Sequence, residues 1–254
     1  MVFPFIWMVS TSLKELKEIF RSPYSMIPAN LTILNFIKVW ELVPFGRFFL
    51  NSIIMSSAIT LSQLITCSLA AYAFARLRFW GRDVLFYMFL STMMIPQQVI
   101  MIPVYAILNY LGWIDTYAAL IVPFTASAFG TFLLRQFFKT LPRELEDAAK
   151  LDGCGHLRFL WSIVLPLSRP ALSTLGVFTF MWSWNNYIWP LVVTNRMEMR
   201  TLQLGLATFR DEGGVNWGYF MAATVMATAP VLAVFLAAQR QFVRGITLTG
   251  LREG

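Results

Sequence analysis

The chain has 254 residues, of which 57% are hydrophobic and 13% charged, with a mean hydropathy of +0.63. Too little polar surface remains to cover a water-soluble sphere of this size, which places the chain in a bilayer. The formal charge of +7 does not indicate a nucleic-acid binder, because the basic residues fall in short clusters between apolar runs instead of on one face of a soluble domain.

At the amino terminus, Met1 to Val9 is apolar but covers less than half of a hydrocarbon core at about 1.5 Å rise per residue. No charge precedes it and no small-residue cleavage site follows, so it is not a signal peptide. It reads as the outer end of a helix that begins upstream, and the native reading frame is expected to start before Met1. Beyond it, five long uncharged intervals run Phe48 to Ala75, Val84 to Ile114, Thr116 to Leu134, Pro170 to Asn195 and Gly213 to Gln239. Each supplies the ~20 apolar residues of a membrane-crossing helix. The predicted fold is therefore all-α: a single polytopic transmembrane bundle with spans at 48–75, 84–108, 116–138, 170–193 and 217–239, plus the partial helix at 1–9.

Basic residues set the orientation. Arg76, Arg78 and Arg82 follow the first full span, six more lie between Arg135 and Arg169, and Arg240, Arg244 and Arg252 follow the last. These three segments are predicted to be cytoplasmic. Residues 109–115 and 196–212 then lie outside, together with 10–47, whose five basic residues run against the trend. Prolines at 96, 103, 123, 190 and 230 each remove a backbone hydrogen bond from a span.

Residues 139–169 are too long for a tight connection and read as helix, turn, helix. Pro142 opens the first helix, and Glu144 and Glu146 complement the dipole at its start. Asp147, Ala148 and Ala149 continue it, and Gly153, next to Asp152, supplies a left-handed stop. A second amphipathic segment, Leu157, Leu160, Trp161 and Val164, leads into Leu165 and Pro166.

In the fourth full span, Trp182, Asn185, Asn186 and Trp189 are spaced i, i+3, i+4, i+7 and are predicted to share one helical face. Such a stripe could serve a sugar, with indole rings against its C–H faces and amides on its hydroxyls. Equally, the tryptophans could form an interfacial belt and the asparagines bind helices together. Gln97, with Gln98, is a weaker candidate for the same pathway. His156 is the only histidine, so no second imidazole completes a metal site or a triad, and no Gly-Lys pair exists to build a phosphate-cradling loop. Cys67 and Cys154 read as two inert thiols.

Asp147-Ala-Ala149, three residues, Gly153, nine residues, then Ile163-Val-Leu-Pro166 resembles the EAA signature of permease subunits of bacterial ATP-binding-cassette importers. Asp147 stands where that signature has Glu, keeping the carboxylate but shortening its reach. Trp7 to Lys14, Asn51-Ser52, Trp184-Asn185, Trp189-Pro190 and Gln239 to Gly245 are similar to the carbohydrate-uptake, maltose-type branch, and the resemblance covers almost the whole chain. It implies a non-enzymatic permease in the cytoplasmic membrane that moves a sugar or related polyhydroxylated solute inward by alternating access. It further implies that Glu146, Asp147, Ala148, Ala149, Asp152, Gly153, Leu165 and Pro166 couple the chain to an ATPase subunit, in which the first helix of this segment is seated. The implied partners are an ATP-binding subunit dimer, a second related permease, an extracytoplasmic solute-binding protein and the bilayer. This chain would bind no cofactor, ATP and Mg residing on the ATPase. An ion-coupled secondary transporter would need ionisable groups within the membrane, and the five uncharged intervals contain none. A permease of the same class for a non-sugar solute stays open.

Overall fold

The computed structural model of the chain describes residues 3–22, 25–211 and 214–250, without the side chains of 210–214 and 237–250. Met1, Gly213 and Arg252, and residue 212 of the 196–212 segment, lie outside the described residues, and of Gln239 to Gly245 only the helical backbone is described. The helices that carry the argument are α1 (Phe3–Ser12), α2 (Phe45–Arg76), α3 (Arg82–Ser91), α4 (Gln97–Tyr110), α5 (Ala128–Thr140), α6 (Glu144–Leu151), α7 (His156–Leu167), α8 (Arg169–Trp184), α9 (Ile188–Val193) and α10 (Trp217–Gly250). Among the described residues, the one strand pairing is a two-residue antiparallel ladder, Arg210–Asp211 with Gly214–Val215.

Among the described residues, two helices are individually long and apolar enough to cross a membrane, α2 and the Trp217–Leu236 part of α10, and three bent pairs bring the number to five if each counts as one span. The bends have local causes. Between α3 and α4 the chain turns through 98° at Ile95 and Pro96. Pro96 forces its predecessor into the extended region, with Ile95 at φ −87° and ψ 116°. Between α7 and α8 the turn is 81°, at Ser168, two residues before Pro170. Pro103 and Pro230, by contrast, stay inside continuous helices.

The chain folds as two compact units. The first comprises residues 1–55, 112–120 and 184–234, the second 56–111, 121–183 and 235–254. In the first, polar side chains tie loops to helix ends. Asn35 donates to the Ser12 and Lys14 carbonyls, both at 2.8 Å, and Lys14, itself buried, donates to Ser25. Asp115, in the left-handed region at φ +61°, accepts from the Asn195 and Arg196 amides at 2.6 and 2.8 Å.

The second unit has one hydrophobic core, in which Cys67, Ala71 and Tyr72 of α2 meet Leu134 and Phe138 of α5, Ala149 of α6, Phe159, Leu160 and Val164 of α7, and Leu175 of α8. Gly130 makes the closest crossing possible: a Cβ there would lie 2.9 Å from both Cys67 Sγ and Leu175 Cδ1. Small residues at such crossings are how packed helices gain contact where lipid removes the hydrophobic drive. Arg135 of α5 is buried with its guanidinium 3.7 Å from the Phe86 ring centre and its Nε donating to Phe74.

Candidate functional site

The segment after α5 is a short helix, a turn and a second helix, as the pattern predicts. α6 starts at Glu144, two residues after Pro142, with Glu144, Glu146 and Asp147 in its first turn and Lys150 in its last, each on the side the helix dipole favours. It ends in a Schellman motif: Cys154 N donates to Ala149 O at 2.8 Å and Gly153 N to Lys150 O at 3.0 Å, with Gly153 at φ +70°. A Cβ on Gly153 would meet nothing within 4 Å, so the glycine is required by conformation and not by space.

The second helix corrects one expectation. Leu160 and Val164 are buried, but Leu157 and Trp161 are exposed. Leu160–Val164 is a π-turn, which adds a residue to the helical period and puts Phe159 and Val164, five apart, on the core side. An ideal 3.6-residue period could not anticipate this. Leu165 packs against the core and Pro166 is exposed.

α6 has two faces. Inward, Ala149 joins the core and Glu146 pairs with Arg76 of α2 at 3.6 Å and with Lys150 at 2.9 Å, the Arg76 and Glu146 side chains being 5% and 14% exposed. Arg76 is the last residue of α2, and its Nη2 also donates to the Phe138 and Leu141 carbonyls, each at 2.7 Å. One guanidinium thus closes the end of α5 and holds the start of α6. Outward, at i, i+1 and i+4, stand Asp147, Ala148 and Leu151, all exposed, Leu151 at 90%, with Asp152 next to them. A carboxylate, a methyl group and an isobutyl group therefore face away from the chain's own core. His156 is exposed but within hydrogen-bond distance of a neighbour, its Nδ1 3.1 Å from the Tyr72 hydroxyl.

The predicted stripe in the fourth full span does not form one face. α8 ends at Trp184 and α9 begins at Ile188. Pro190 has no N–H for the Asn186 carbonyl four residues earlier, and its ring would clash there, so the helix breaks. Asn186 instead caps the restart, its Oδ1 accepting from Trp189 N at 3.2 Å. Trp189 is buried, its indole N–H bonded to Ala119 O at 3.0 Å, and Asn185 accepts from Gln203 at 3.2 Å. Trp182 belongs to the second unit, edge-on to Phe124 at 5.1 Å. There it borders a cavity of about 390 Å³ that Gln63, Phe178 and Thr179 also line. Buried Gln63 donates to Phe124 O at 2.8 Å and accepts from Thr179 at 3.1 Å. Gln97 is exposed at the first turn of α4.

Charge counting registers Arg76 only as a topology signal. Its position directly after a long uncharged interval, at a helix end where carbonyls lack partners, is the signal that points to its bonding role. Asn51 shows no such sign in the sequence, yet it is fully buried and bonded on both amide atoms.

Similarity to known proteins gives the class. Residues 63–248 match the family described as binding-protein-dependent transport system inner membrane component. The chain belongs to that family: it is a multi-pass permease component of an ATP-binding-cassette importer in the cytoplasmic membrane. It is 38% identical to the sn-glycerol-3-phosphate transport system permease protein UgpE of Yersinia pestis bv. Antiqua (strain Antiqua), over 96% of this chain and 90% of that one. Against the protein of that name from Escherichia coli O1:K1 / APEC the identity is 36% over the same shares. In the crystal structure of a bacterial ABC transporter involved in the import of the acidic polysaccharide alginate, one chain superposes with a TM-score of 0.86 at 25% identity, over 95% of this chain and 90% of that one.

Proposed function

We propose that this permease carries a polyhydroxylated solute inward and is driven through α6 by a separate ATPase. The observation that supports this reading most directly is the two-faced α6. Its inner face is tied to α2 and α5 through Glu146 and Arg76, while its outer face offers Asp147, Ala148 and Leu151 to another protein. Small side chains allow close backbone approach, and a carboxylate can pair with a basic residue across the interface. ATP binding would close an ATPase dimer, α6 would follow it, and the Arg76 tie would pass the displacement to the ends of two spans. Hydrolysis resets the cycle. ATP and Mg stay on the ATPase, a second related permease completes the pathway, and an extracytoplasmic binding protein delivers the solute.

Asp147→Lys is expected to insert normally in the membrane yet lower recovery of the ATPase with the purified complex at least tenfold, whereas Asp147→Glu should retain it. Undiminished ATP-driven uptake by Asp147→Lys would sink the reading.

Both cargoes named for the relatives, sn-glycerol-3-phosphate and alginate, are polyhydroxylated and acidic. Trp182 and the neighbouring cavity are the proposed place of contact, because an indole face and a buried amide suit the two sides of a sugar-like solute. Trp182→Ala should raise the half-saturating solute concentration for uptake by roughly tenfold, about 1.4 kcal/mol, with little loss at saturation. An unchanged value would place the contact elsewhere.

A further inference from the structure

A second cleft, of about 790 Å³, opens where the end of α2, the turn to α3, the start of α6 and His156 come together. Arg76, Arg78, Arg82, Arg143 and Lys150 line it, against two carboxylates, those of Glu146 and Asp147. Glu146 is already engaged by Arg76 and Lys150, and Arg82 by Asp83 at 3.1 Å. Arg78 and Arg143 are exposed and have no ion-pair partner among the described residues. A neighbouring cleft of about 520 Å³ shares Arg78, Arg82 and Arg143, so the cationic lining extends beyond the first. Independently, the buried Nε of Arg76 meets no acceptor among the described residues. A buried N–H in that condition is costly.

We propose that this cleft is a binding site for a phosphate group, with Arg78 and Arg143 gripping its oxygens and Arg76 behind them. Arginine forks match the geometry of phosphate oxygens, and basic pockets at the cytoplasmic ends of spans take anionic headgroups. The location suits a phospholipid. The cleft lies between the last residue of α2 and the first of α3, and between them Trp80 is 98% exposed, as an indole anchored among headgroups would be. A free phosphate ion has the same chemistry, and the test separates the two sources.

The intact transporter complex is purified in a neutral detergent and examined by native mass spectrometry after addition of phosphatidylglycerol or phosphatidylcholine, and by titration with inorganic phosphate. The wild type should retain phosphatidylglycerol over phosphatidylcholine by about tenfold, Arg78→Gln/Arg143→Gln should lose that preference, and Arg78→Lys/Arg143→Lys should keep part of it. Inorganic phosphate bound by the wild type and lost in the glutamine variant, without any lipid preference, would support the site with the free ion as its source. Lipid and phosphate binding indifferent to both arginines would overturn it. So would a glutamine variant that sheds its ATPase while holding lipid as before, since the cleft would then be a protein contact. Because Asp147→Lys reads ATPase recovery and this experiment reads phosphate retention, either proposal can fail alone.

Discussion

Arg76→Ala is expected to be among the most damaging single substitutions in the second unit. It removes both bonds to the Phe138 and Leu141 carbonyls and leaves Glu146, 14% exposed, with Lys150 alone. Breaking one side of a buried pair costs about 3–5 kcal/mol, and the freed carbonyls add to the loss. The purified complex should melt several degrees lower, and ATP-driven uptake should fall further than stability alone explains, because α6 would no longer be tied to the span ends. Arg76→Lys keeps the charge but not the fork, so it should bond one carbonyl and fall between the two. Adding Glu146→Gln to Arg76→Ala removes the under-compensated carboxylate and should recover part of the stability. A melting temperature unmoved by Arg76→Ala would show that the tie has no structural weight.

Asn51→Ala carries the second large effect, in the first unit. The Asn51 amide, itself with no exposure, donates to the Glu198 and Arg200 carbonyls at 2.7 and 2.9 Å and accepts from the Tyr117 hydroxyl at 2.6 Å. Next to it, Ser52 Oγ accepts from Leu202 N at 2.7 Å, so the first turns of α2 pin the loop at 198–202. Alanine would remove all three bonds, each with a net contribution of about 0.5–1.5 kcal/mol. Asn51→Asp should be worse, because a carboxylate would replace the donor that faces both carbonyls. Limited proteolysis in the 196–212 segment would report the released loop. Cleavage of Asn51→Asp no faster than that of Asn51→Ala would contradict this account.

The class of fold and the position of α6 were legible in the sequence for simple reasons. Uncharged intervals of twenty or more residues have no stable alternative to helices in lipid, because every backbone group must be satisfied within the segment. Asp147-Ala-Ala149 with Gly153 combines helix formers with a left-handed stop, and the stop at φ +70° lies at Gly153. Periodicity failed where the period itself changes. The π-turn at Leu160–Val164 turns Leu157 and Trp161 away from the core, and Pro190 divides a stripe that an unbroken helix would have aligned.

What the sequence determined by itself was therefore local and one-dimensional: that the chain lies in a bilayer, that it is helical, and where the short helix α6 begins and ends. Hydropathy and backbone conformation act over one or two helical turns, so neighbouring residues suffice to decide them. Only the tertiary structure decided which polar side chains hold distant backbone together, because Arg76 meets Leu141 and Asn51 meets Arg200 across 65 and 149 residues of chain. An arginine at a span end looks the same in sequence whether it faces headgroups or closes another helix, and only packing distinguishes the two.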